Sequence, residues 1–199
     1  MKSRYFFLRV VPFVIAFIPC CVMAQNSGTY NLQIQADAYV YEETASTNYG
    51  ASVDLIAGRV TEFGYNYRTY LRFDPSPLPA DAEIISARLY IYMHSATVES
   101  YRLQVRKSTV NWVENTLTWN NQPGVANTLA LSDETVSNEP GWKDFDVTAA
   151  VQNWVAGQTN GGLVLRAYDE AGDMNNCVFY SRESSGCQPY IQVVYLTYE

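Results

Sequence analysis

In the stretch SARLYIYMHS, residues 86–95, Arg88, Tyr90, Tyr92 and His94 alternate with Ala87, Leu89, Ile91 and Met93. A strand sends successive side chains to opposite faces, so the apolar set faces a core. The arginine, two tyrosines and the chain's one histidine then share the other side. Two further stretches repeat the pattern. RTYLRF (68–73) sets Arg68, Tyr70 and Arg72 opposite Thr69, Leu71 and Phe73, and YRLQVR (101–106) sets Arg102, Gln104 and Arg106 opposite Tyr101, Leu103 and Val105. Guanidinium holds a carboxylate through two parallel hydrogen bonds, which an ammonium cannot do. Tyrosine adds a flat apolar ring and a hydroxyl that donates or accepts. If these three strands are neighbours, Arg68, Tyr70, Arg72, Arg88, Tyr90, Tyr92, His94, Arg102, Gln104 and Arg106 form one face suited to an acidic sugar. The same residues also serve structure. Cross-strand pairs contribute about 0.2–1 kcal/mol each, and arginine stems shield a sheet while their heads stay wet. Such a face would also pair with acidic loops of this chain or of another copy.

Other residues offer narrower chemistry. Trp154 belongs to a core stripe and Trp119 to a turn, which leaves Trp112 and Trp142 as candidate exposed platforms for a sugar ring. Asp37 and Asn48 are the candidate ligands of a structural calcium, a cation that takes six to eight hard oxygens. Glu114 and Glu183 are the candidates for the facing carboxylates of a glycosidase, but nothing in their spacing brings them together. The lone His94 has no zinc-ligand spacing around it, and no Gly-x-Ser-x-Gly turn is present. The expectation is a protein that is not an enzyme.

The elements that must carry these groups are strands. Period-2 patterns cover 30–41, 68–73, 86–94, 101–106, 162–168, 177–181 and 189–198, separated by Gly, Pro, Asn and Asp turns. On the first of them Leu32, Ile34, Ala36, Ala38 and Val40 fall on one face. One segment changes period: Val147, Ala150, Val151, Trp154 and Val155 recur at helical spacing, with Asp146 or Thr148 to cap the start and Gly157 to end it. The fold class expected is all-β, an antiparallel β-sandwich of jelly-roll type with one short α-helix near 147–156.

Lys2, Arg4 and Arg9 precede an apolar run ending at Val22-Met23-Ala24, the pattern of a signal peptide spanning 1–24. The run is too short to span a bilayer. The expectations are an exported chain, extracellular or periplasmic, with no membrane span after cleavage and one domain over 29–199. The leader holds three basic residues and no acidic one, so the net charge of −7 becomes −10 without it. That balance repels phosphate backbones and argues against a nucleic-acid partner. Cys177 and Cys187, an even pair in an exported chain, read as a disulfide.

Several phrases stand in order along the chain: ADAYVYEETASTNYGAS, RTYLRFD, IISARLYIY, WVENTLTWNNQPG, WKDFDVTAAVQNWVAG, NGGLVLRA, and FYSRES followed by PYIQVVY. Together, over residues 36–196, they resemble the DNRLRE domain, carbohydrate-binding module family 96. The resemblance implies a secreted, non-catalytic β-sandwich that binds polysaccharide, alginate-like for part of the family. The function expected is therefore a secreted carbohydrate-binding module, with acidic uronates held by the Arg/Tyr face. The alternative is an extracellular structural or adhesive protein, or a filament subunit, that self-associates through sheet edges.

Overall fold

A computed structural model describes residues 24–60, 63–126, 130–172 and 175–198; the leader residues 1–23 lie outside the described residues. Ten strands and one α-helix follow in the order β1 Gln25–Tyr41, β2 Asp54–Arg59, β3 Asn66–Phe73, β4 Glu83–Ala96, β5 Ser100–Lys107, β6 Ser132–Ser137, β7 Gly141–Asp146, α1 Thr148–Val155, β8 Leu163–Ala167, β9 Asn176–Tyr180 and β10 Tyr190–Tyr198. All strand pairs are antiparallel, and two layers close on a common core. The chain is an all-β sandwich.

Strand β4 organises the first layer. Along one edge it pairs with β10 and then β9, and along the other with β7. The second layer runs β1–β3–β8–β5–β6. The alternation of β4 is kept as expected: Ala87, Leu89, Ile91 and Met93 are all fully buried. They meet Leu71, Phe73, Leu103, Val105, Leu163 and Leu165 of the second layer, with Phe145, Phe179, Ile191 and Val193 from their own layer. Helix α1 closes one end of this core with Ala150, Val151 and Trp154. The Asp146 carboxylate accepts from the Thr148 N–H at 2.9 Å, and Gly157 takes the left-handed φ of +82° that ends the helix.

Strand β1 belongs to both layers. Its first half pairs with β10 and its second with β3, and between Ile34 and Ala36 it gains one residue on its partner. A one-residue shift exchanges the faces of a strand. Leu32 and Ile34 thus lie against the main core, whereas Ala36, Ala38 and Val40 enter a second cluster with Tyr70, Trp112, Leu117 and Val164. That cluster sits on the outer side of the second layer, under the segment 108–125. The single apolar face expected for 32–40 is therefore divided in two, and Asp37 turns inward to 1 % exposure.

The expected Cys177–Cys187 disulfide is not seen among the described residues. Cys177 is buried in the main core and Cys187 is exposed, and both are free thiols. Cys177 is the second residue of β9 and pairs in register with Ala57 and Ala96, while Cys187 lies in the segment that follows that strand. Cys177 packs as a small apolar side chain.

Candidate functional site

The three arginine-bearing strands are not neighbours. The proline-rich link 74–82 carries the chain from β3 in one layer to β4 in the other, and β5 returns to pair with β8. The ten residues expected on one face are split between opposite sides of the sandwich.

On the second layer the polar groups are occupied internally. Arg68 makes a two-pronged pair with Glu170 at 2.7 Å on each arm, and Arg166 adds a bond to the same carboxylate at 2.8 Å. Tyr70 is fully buried, its hydroxyl donating toward Pro123 O at 2.9 Å and Gln122 Oε1 at 3.0 Å. Arg72 donates to Trp112 O at 2.7 Å and lies 5.4 Å from that indole. Gln104 is buried and donates to Ala167 O and Tyr168 O at 3.1 and 3.0 Å. Arg106 donates to Gln104 Oε1 at 2.8 Å and Ala126 O at 3.2 Å. Arg102 chelates Asp133 at 2.7 and 2.6 Å and covers Tyr168 at 3.6 Å. Tyr70 and Gln104 are thus interior residues. The Arg68, Arg72 and Arg106 heads tie down the 108–126 cover, because the expected open face on this side is roofed by Trp112, Leu117 and Trp119.

The other side is open. Here Arg88, Tyr90, Tyr92 and His94 stand on β4 as the alternation requires, all partly exposed. Register brings further aromatics beside them: Trp142 of β7 pairs with Tyr92, and Tyr190 of β10 pairs with Tyr90. Tyr180 of β9 completes the run. Tyr90 stacks on Tyr190 at 5.0 Å and Tyr92 on Tyr180 at 5.7 Å. Trp142 meets Tyr92 and Tyr190 edge-on at 5.5 and 5.4 Å, with 43 % of its surface in water. His94 stacks on Tyr180 at 4.5 Å, and its Nε2 lies 3.0 Å from Asp54 Oδ1. At the opposite end Arg88 is paired with Asp144, and Asp146 stands across from Arg88 on β7. Burial, then the neighbouring Tyr90, hold Tyr190 above the usual phenol range, so its hydroxyl stays a donor. Tyr180 and Tyr190 were missed from the sequence; Trp142 was readable as a candidate platform, and its place opposite Tyr92 confirms only the exposure.

A third assembly joins residues from three distant segments. Asp37, Glu114 and Glu183 bring carboxylate oxygens within 4.8 Å of one another. Sequence spacing did not bring Glu114 and Glu183 together, but the fold does. A retaining glycosidase sets its carboxylates about 5–5.5 Å apart across an open cleft. Here Glu114 is instead chelated by Arg182 at 2.8 and 2.9 Å, and one Glu183 oxygen is buried, so no sugar can enter between them. Asn48 sits nearby with its amide group engaged: Nδ2 donates to Glu114 O and Leu117 O, both at 2.7 Å, and Oδ1 accepts from Gly50. It braces the turn that carries Glu114.

A β-sandwich with one roofed face and one open aromatic face has the form of a module that meets its ligand on a sheet. The chain belongs to carbohydrate-binding module family 96, whose model matches residues 28–195. It is also 25 % identical over 177 residues to the tRNA nuclease WapA of Bacillus subtilis strain 168, and 24 % identical over the same length to the tRNA3(Ser)-specific nuclease WapA of Bacillus spizizenii. Each match covers 83 % of this chain, and the chain spans only 7 % of the length of these relatives. Among the described residues no helix is long and apolar enough to cross a membrane.

Proposed function

We propose that this protein is an exported, non-catalytic module that binds polysaccharide by laying sugar rings on Trp142, Tyr92, Tyr180, Tyr90 and Tyr190. One observation carries the reading: five aromatic rings of three layer-one strands and their neighbour β9 form a continuous, partly water-accessible run on one sheet face. Aromatic faces take up the apolar C–H faces of sugars, while phenol and imidazole edges hydrogen-bond to hydroxyls. Family membership supports the carbohydrate, and the leader-like residues 1–24 support export to the extracellular or periplasmic space where such modules work.

The uronate preference expected from arginine loses its footing on this face. Arg88 already answers Asp144, and Asp54 and Asp146 add further negative charge, so a polyanion meets more repulsion than attraction there. The reading is therefore an uncharged glycan held chiefly by stacking, with little dependence on salt. Self-association through edges is opposed by the edge strands themselves. β6 carries Asp133 and Glu134, and β7 carries Lys143, Asp144 and Asp146, the charges that blunt edge pairing.

Affinity electrophoresis against neutral and uronate polysaccharides tests the proposal. Retardation by a neutral glycan, lost in Tyr190→Ala, is expected. Retention by alginate alone, abolished by salt, would overturn the stacking reading, and no retention by any glycan would overturn binding altogether.

A further inference from the structure

The carboxylate group of Asp37, Glu114 and Glu183 lies apart from the five stacked rings and has no role in that reading. Its members come from the displaced half of β1, the turn at 114–116 and the turn 181–183 after β9. Their hydrogen bonds are incomplete in a specific way. Asp37 Oδ2 accepts the Arg182 N–H at 2.8 Å, and Glu114 Oε1 accepts the Asp37 N–H at 2.8 Å. Arg182 reaches Glu114 with two nitrogens and Glu183 Oε1 at 3.0 Å. Asp37 Oδ1 and Glu183 Oε2 are left buried without a partner. Asp37 is 1 % exposed.

Three carboxylates share one guanidinium, and one of them, Asp37, is closed to solvent while Glu114 and Glu183 are partly exposed. Burying a charge is costly, and buried charges are found paired or on metals. The donors are all hard oxygens. They lie within 4.8 Å of one another, close enough to share one ion, and Ca2+ takes six to eight such oxygens in flexible geometry, whereas Mg2+ demands a near-ideal octahedron and sheds its water reluctantly. The surroundings are built to hold this geometry. Asn48 pins the backbone of the 114–117 turn, and a Cβ on Gly50 would stand 2.4 Å from the Glu114 carbonyl oxygen, so only glycine lets the two segments close.

We propose that Asp37, Glu114 and Glu183 hold a calcium ion, which cross-links β1, the cover of the second layer and the turn that follows β9. Asn48, expected from sequence as a ligand, is a positioning residue for Glu114. The open oxygens of Asp37 and Glu183 and the remaining lone pair of Glu114 Oε2 face the ion, while Arg182 balances the third charge.

The test uses the full chain with CaCl2 as the probe, read by titration calorimetry and by melting in Ca2+ against EDTA. Calcium at about a hundred times its dissociation constant is expected to raise the melting temperature by roughly 5–10 °C. Asp37→Asn and Glu183→Gln each remove that shift, and Mg2+ at equal concentration fails to reproduce it. Calorimetry on the unsubstituted chain keeps the test decisive if a variant does not fold. No binding heat and identical melting in Ca2+ and EDTA would overturn the site, as would a calcium response that survives both substitutions. Equal stabilisation by Mg2+ would overturn the assignment of the ion. Glycan retention is measured separately, so failure here leaves the aromatic face untouched.

Discussion

Trp142→Ala removes the most exposed ring of the aromatic run, and the structure sets the size of two separable effects. The indole makes edge-on contacts with Tyr92 and Tyr190 at 5.5 and 5.4 Å. Each aromatic pair contributes about 0.5–1.5 kcal/mol, so the folded state loses roughly 1–3 kcal/mol. For a domain of this size that lowers the melting temperature by roughly 2–12 °C. Binding loses a stacking platform as well. An aromatic anchor in a contact surface is commonly worth about 2 kcal/mol or more, and a ring already half in water contributes less. A loss of about 1–2 kcal/mol raises the dissociation constant roughly 5–30-fold. Calorimetry with the glycan retained in electrophoresis, run well below the lowered melting point, measures the second effect free of the first. A dissociation constant within twofold of the unsubstituted protein, together with the expected melting shift, would refute the reasoning. The ring would then be a structural brace and the sugar would lie elsewhere.

Other substitutions separate the two sides of the sandwich. Tyr70→Phe removes a fully buried hydroxyl and orphans the Pro123 carbonyl, so melting falls by a few degrees, equivalent to about 1–2 kcal/mol, while glycan affinity stays unchanged; a lost affinity would restore Tyr70 as a ligand residue. Glu170→Gln leaves Arg68 and Arg166 facing each other without their shared carboxylate and is expected to destabilise by about 3–5 kcal/mol, read by urea unfolding. Alkylation followed by peptide mass spectrometry should modify Cys187 in the folded protein and Cys177 only after unfolding, because Cys177 is buried and its thiol is pushed up to about 12 by that burial. A Cys177–Cys187 cross-linked peptide from unreduced protein would contradict this arrangement.

The β4 alternation was fully readable, because burial on one side and water on the other impose the same period on sequence and structure. Helix α1 was readable for the same reason, its stripe and end glycine agreeing. Strand β1 was not. Its apolar residues keep an even spacing from Leu32 to Val40, and one extra residue near Gln35 sends the two halves to different cores; periodicity carries no mark of that shift. The same displacement turned Asp37, which the alternation sets opposite the apolar face, into the interior. Tyr70 failed differently. A strand covered on both sides reads as half-exposed when its cover is a loop, and nothing in WVENTLTWNNQPG declares which face it will lie on. β7 also escaped notice, since GWKDFD is short and mostly polar, yet it supplies the Trp142 that widens the open face. Arginine was the misleading residue: its fork suits a sugar acid, but it suits Glu170, Asp133 and Asp144 equally, and those were nearer.

The pairing of Gln25 with Tyr198 at one end of the β1–β10 ladder has a mechanical meaning. Gln25 and Tyr198 lie within about 5 Å of each other, so the two ends of the ladder leave the sandwich at one place. Tension on the two ends would then peel this ladder one rung at a time instead of shearing it as a whole, making that place the first part to yield under load.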